Sequence, residues 1–157
     1  MGTYTRYLIP ALVLLAVAFA AGHWIRDRHT GEPDNVLALA PDLSCNLRAG
    51  PCRLPLPDGG AVVLDILPRS LEPMAPLQLE VRVSDAPLEA RWVEFAGINM
   101  DMGFNRASLT PRSPGQFTGS GMIPVCVSDR MVWEARVMLA GDGDWISAPF
   151  RFDVVRN

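Results

Sequence analysis

From about residue 60 onward the chain alternates apolar and polar side chains with a period of two. Leu77, Leu79, Val81 and Val83 are separated by Gln78, Glu80, Arg82 and Ser84. Trp133, Ala135 and Val137 enclose Glu134 and Arg136, with Leu139 next in the same phase. Phe150, Phe152 and Val154 enclose Arg151 and Asp153. Successive side chains of an extended strand leave opposite faces, so each run predicts a strand with one face in a core and one in water. Val62, Leu64 and Ile66 predict a fourth strand and Arg91 to Phe95 a fifth. Gln116 to Ile123 predicts a sixth, weakened by Gly119 and Gly121. Turn formers punctuate them: Pro57-Asp58-Gly59-Gly60, Asp85-Ala86-Pro87, Ser113-Pro114-Gly115 and Gly141-Asp142-Gly143-Asp144. Parallel sheets, buried on both faces, would give continuous apolar runs instead. Six or seven short strands without helical periodicity or internal repeat predict an all-β domain over residues 43–157, an Ig-like antiparallel β-sandwich.

The first apolar block is different in kind. Residues 7–25, YLIPALVLLAVAFAAGHWI, hold no Asp, Glu, Lys or Arg. At about 1.5 Å per residue they span a hydrocarbon core of roughly 30 Å, with Tyr7 and Trp24 at the two edges. Two readings compete. One is an uncleaved signal-anchor. The other is a signal peptide cut after Ala18-Phe19-Ala20. The length of the run favours the anchor, with residues 1–6 cytoplasmic, 7–25 a transmembrane helix and 26–42 a polar linker marked by Gly31, Pro33 and Pro41. The signal-like start and the cysteines argue that the C-terminal domain is exported.

Charge removes one class of partner. All 14 basic residues are Arg, and the net charge is −3. From Thr30 onward 11 Arg face 16 Asp and Glu, a balance of −5, and no basic run occurs. Nucleic-acid binding rests on phosphate neutralisation, so no nucleic-acid partner is expected.

Three cysteines, Cys45, Cys52 and Cys126, leave three pairings open in an exported domain. The Gly50-Pro51 turn inside the segment makes a local Cys45–Cys52 bridge the first choice and leaves Cys126 as the odd thiol beside Met122.

The candidate chemistry is sulfur. Ile98-Asn99-Met100-Asp101-Met102-Gly103-Phe104 places two thioethers at i, i+2, on one face of an extended segment. Met122 and Cys126 follow. Thioether and thiolate donors select soft ions, Cu(I) foremost. The two histidines, His23 and His29, lie outside the β region, so neither a His-based zinc or blue-copper site nor a Ser-His-Asp arrangement can be built within it. No Gly-rich phosphate loop is present, and a thiol-redox enzyme would need a C-x-x-C pair rather than C-x6-C. No enzyme activity is therefore expected. The bland alternative is packing: Ile98, Met100, Met102 and Phe104 read equally well as the core face of a strand, and methionine is a common gap filler. Trp92, Trp133 and Trp145 read as core or rim.

Met100-x-Met102-Gly103, Gly115-Gln116-Phe117-x-Gly119, Pro124-x-Cys126 and Met131-Val132-Trp133 resemble the YtkA-like and FixH-like membrane-anchored periplasmic domains. The resemblance covers about residues 60 to 140 and the single N-terminal helix. It implies an Ig-like fold and a role in copper handling or cytochrome oxidase assembly. The ligand set expected for Cu(I) is Met100 and Met102, with Met122 and Cys126 as additions. The expected partners are the inner membrane and an oxidase subunit or copper-assembly factor. The rival expectation is a metal-free interaction or accessory domain of a respiratory membrane complex, docking through a sheet edge or an apolar patch.

Overall fold

The computed structural model describes residues 14–17, 19, 22, 33, 35–125 and 129–155. The chain divides into two compact units, residues 1–34 and 35–157. In the first, the described residues of the expected 7–25 span (14–17, 19 and 22) are helical, and the rest of that span lies outside the described residues. Among the described residues no helix is long and apolar enough to cross a membrane.

The second unit is all-β. Its strands are β1 (Val36–Ala38), β2 (Cys52–Pro55), β3 (Ala61–Leu67), β4 (Leu77–Ser84), β5 (Glu89–Gly97), β6 (Arg106–Ser113), β7 (Gln116–Gly121), β8 (Arg130–Ala140) and β9 (Trp145–Val155). They form one hydrogen-bonded order, β1-β9-β8-β5-β6-β7-β4-β3-β2. All neighbours are antiparallel except β1 and β9. The alternating runs became β3, β4, β8 and β9. Their apolar positions face one shared core that includes Leu64, Ile66, Leu79, Val81, Val93, Phe95, Trp133, Val137 and Phe150.

One strand makes that shared core geometrically feasible. The first half of β6 pairs with β5 (Glu94↔Arg106 to Trp92↔Ser108), and its second half pairs with β7 (Leu109↔Gly119 to Ser113↔Gln116). The sheet thereby turns a corner within β6, and its two arms close over the same apolar face. The sheet also starts earlier than residue 43, because Val36–Ala38 pairs with Trp145–Ser147 at the β9 edge.

Two local devices brace this frame. Cys45 and Cys52 are disulfide-bonded, with Cα atoms 5.7 Å apart. The short ring they close carries Leu47, fully buried, and Arg48, whose guanidinium bonds the Ser70 and Asp153 carbonyl oxygens. On the solvent face of β5, β8 and β9, Glu134 is only 5% exposed. Its carboxylate accepts from Arg136 Nε at 2.8 Å and from Arg151 Nε at 2.7 Å. Burial pushes the Glu134 pKa up, but the hydrogen bonds and charges of Arg136 and Arg151 together outweigh that and hold it below the ordinary value of 4.5.

Closing a loop of this length restricts the unfolded chain, so Cys45→Ser/Cys52→Ser should lower stability by about 2 kcal/mol in urea unfolding. A depressed folded pKa contributes stability above the unfolded value and loses it as pH falls through the folded value. Glu134→Gln should therefore cost about 2 kcal/mol near pH 7. The gap to the unaltered protein should narrow as pH drops below 4.5; a gap independent of pH would show that the ion pairs are not its source.

Candidate functional site: a thioether-bearing end of the sheet

Antiparallel pairing brings several strand ends together. Leu77 opposes Gly121, Gly97 opposes Trp133, and Arg130 opposes Val155. The segments 68–76, 98–105 and 122–125 therefore emerge at one end of the unit. Five of the seven methionines sit there: Met74, Met100, Met102, Met122 and Met131.

The segment carrying Met100 and Met102 is not a strand. Residues 98–105 form an irregular connection between β5 and β6. Ile98, Met100 and Phe104 are exposed, Phe104 at 76%, and only Met102 packs partly against the core. The expectation of an alternating core face at Ile98, Met100, Met102 and Phe104 is thus corrected. The polar residues between them decide the outcome by bonding backbone that a strand would have used. Asp101 Oδ1 accepts from the Gly103 amide at 2.9 Å, closing an Asx turn, and Gly103 adopts φ 69°, the left-handed region that favours glycine. Asn99 clamps the start of β8: its Oδ1 accepts from Val132 N at 3.1 Å, and its Nδ2 donates to Arg130 O at 3.4 Å. Ile98 N donates to Val132 O at 2.9 Å.

Further side-chain and main-chain bonds tie the methionine-bearing connections to one another. Asn105 Nδ2 donates to the Met122 carbonyl at 2.8 Å, and Met74 N donates to the Ile123 carbonyl at 2.8 Å. The floor beneath them is Gly97. A Cβ there would run into the Met100 carbonyl oxygen and the Met131 methyl, and would lie 3.0 Å from Met102 Cγ. Gly97 is thus the point where Met102 and the buried Met131 come together. The far end of the 98–105 connection is pinned by Arg106. Its guanidinium carbon lies 4.1 Å from the Trp92 ring centroid and 4.7 Å from that of Phe104. Glu94 lies 3.8 Å from the same guanidinium. Such stacking is worth about 0.5–1 kcal/mol per ring at exposed sites.

Of the expected site residues, Met100, Met102 and Met122 come to this common end. Cys126 lies outside the described residues, as do its neighbours Val127 and Ser128. Cys45 and Cys52 are bonded to each other. Among the described residues no cluster of three or more His, Cys, Asp or Glu side chains stands close enough to hold a metal ion. This end offers thioethers and backbone carbonyls, alongside the Asp101 carboxylate and the Asn99 and Asn105 amides, which are engaged in the hydrogen bonds above. Met74 and Met131 were not among the residues singled out from spacing. Met74 had a legible signal: it lies between Pro73 and Pro76, where a core strand position is excluded. It adopts φ 62°, uncommon for a non-glycine residue, and is exposed.

No family model, no curated protein and no solved structure matches the chain.

The crowding at Gly97 makes one substitution diagnostic. Gly97→Ala should destabilise the unit by about 1–3 kcal/mol, as overpacking does. It should also shift the Met102 and Met131 methyl resonances, while those of Met138 stay in place. Unchanged methyl shifts would mean that the two side chains do not meet there.

Proposed function

We propose that this chain is a membrane-tethered periplasmic domain that binds or relays Cu(I) in copper handling or cytochrome oxidase assembly, without enzymatic activity. One observation carries the reading: three connections bearing Met74, Met100, Met102 and Met122 emerge at one end of the sheet and are bonded to each other through Asn105 and the Met74 amide. Thioethers are soft, neutral donors that suit Cu(I), and no harder donor cluster competes with them among the described residues. Met100 and Met102 are the primary ligands in this reading, with Met122 and Cys126 as additions and Met74 as a further exposed sulfur. Met131, buried below Met102, is floor rather than ligand.

The Ig-like part of the proposal has its own support. The run β3-β4-β7-β6 on one arm and β9-β8-β5 on the other is the four-plus-three order of an Ig constant-type domain, with the strands taken in chain order from β3. The anchor at 7–25 rests on the apolar, charge-free run itself.

Anaerobic titration of the full chain with Cu(I) against a chromophoric chelator tests the ligand set. Met100→Leu/Met102→Leu keeps volume and apolarity, so folding should hold while affinity falls at least about tenfold, or about 1.4 kcal/mol. Affinity supplied by thioethers should stay nearly constant between about pH 5 and 7, because they bind no proton. Unchanged affinity in the double variant would remove Met100 and Met102 as ligands.

A further inference from the structure

A groove of about 1050 Å³ opens beside the last strand. Its apolar lining includes Leu43, Leu71, Pro73, Val125, Phe152 and Val155. Its floor is also a sheet edge. β1 pairs with β9 only from Trp145 to Ser147, and its last bond runs from Leu39 N to Ser147 O at 2.9 Å. Beyond that, Pro41 offers no amide, and Asp42 turns the chain by accepting from the Ser44 amide at 2.8 Å.

The direction of each main-chain group on β9 follows from two bonds. The Ser147 carbonyl faces outward to Leu39, and the Asp153 carbonyl faces outward to Arg48 Nη2 at 2.9 Å. The register with β8 runs without a break from Arg130↔Val155 to Ala140↔Trp145. Alternation then turns the main-chain groups of Pro149, Arg151, Asp153 and Val155 outward, the last three beside the groove, and those of Ala148, Phe150, Phe152 and Val154 toward β8. Pro149, which has no N–H to offer, stands at an outward position, where edge strands tolerate proline. Among the described residues, the Pro149 carbonyl, both main-chain groups of Arg151 and the Asp153 amide have no hydrogen-bonded partner.

We propose that this groove binds an extended, uncharged segment of a partner protein, which adds to the β9 edge as a strand along the line β1 leaves open. The unmet edge alternates carbonyl and amide groups, which is the pattern a second extended backbone satisfies. The charges of the groove select a neutral occupant. Arg48 and Arg151 balance Glu72 and Asp153, Arg151 is held by Glu134, and Asp153 is held by Arg130. The apolar walls favour aliphatic side chains at alternate positions of the segment. This binding goes beyond the thioether reading and does not depend on it, since the groove lacks all five methionines of that end.

The test uses the full chain without copper and two capped heptapeptides, one alternating Thr with Val and the other Thr with Leu. Amide exchange is followed at Arg151 and Asp153, with Phe150 and Phe152 as the internal reference. In the free chain the outward pair should exchange faster than the reference pair. At least one peptide should slow the outward pair about tenfold or more, and its backbone N-methylated analogue should not. Three results would overturn the proposal: Arg151 and Asp153 already protected in the free chain, protection by neither peptide, or equal protection by the N-methylated analogue. Protection that grows with protein concentration alone would assign the edge to a second copy and would also overturn it. Met100→Leu/Met102→Leu should bind peptide as the unaltered chain does, so failure here and failure of the copper reading are separable.

Discussion

The fold of residues 35–157 depends on the change of partner within β6. Because β6 bonds to β5 over its first half and to β7 over its second, two arms that would otherwise each expose an apolar face close over one core. The corner is tight. A Cβ on Gly119 would lie 2.6 Å from the Ser108 carbonyl oxygen, and one on Gly121 would lie 2.9 Å from Phe95 Cε2. Glycine at both positions is what lets β7 approach the bend, so residues that weaken an isolated strand are required by this one. The same corner gives the sulfur-bearing end its geometry. The connection 98–105 runs from the end of β5 into β6, and the segment after β7 leaves beside it.

This explains which parts of the chain could be read from residue order. Strands β3 and β4 were legible because their burial alternates along most of their length, and β8 and β9 because their residue types alternate at Trp133–Val137 and Phe150–Val154 even though Trp133–Ala135, Val137–Leu139 and Ile146–Phe150 are buried without a break. β1 was not, since all three of its residues are exposed and no alternation is imposed on them. β6 was not, because it serves two partners at a corner and carries only Ala107 as a buried residue, with Pro111 within it. The disulfide was legible as a local choice among three pairings, because the intervening Gly50-Pro51 permits a tight return.

The methionine segment was legible in composition but not in conformation. Ile98, Met100, Met102 and Phe104 have the spacing of a core strand, and spacing alone cannot separate that from a loop with exposed apolar tips. The information lay in the interleaved Asn99, Asp101 and Asn105, whose short polar side chains capture nearby or facing main-chain groups. Three such captures replace the ladder bonds of a strand and turn Met100 outward while leaving Met102 against the core. Gly97 adds the steric half of the argument, since the main chain at Met100 folds back over it and any side chain there would prevent that return.

The contrast between frame and end bears on what such an end can do. The frame is fixed by long ladders, a disulfide and a buried glutamate with two arginine partners. The side chains at the end are unbranched thioethers with three rotatable bonds each. Their main-chain positions are set by hydrogen bonds to neighbouring connections, and Met74, Met100 and Met122 are exposed. A soft ion with relaxed geometric demands can be gathered by such donors at the cost of ordering a few side chains, without remodelling the backbone. That cost, about 1–2 kcal/mol per methionine immobilised, tempers affinity and favours exchange over storage. In the proposed copper reading, such an end would serve relay of an ion to a second protein. The groove proposed along β9 is lined by none of the five methionines, so in these two proposals ion binding and partner recognition draw on different residues.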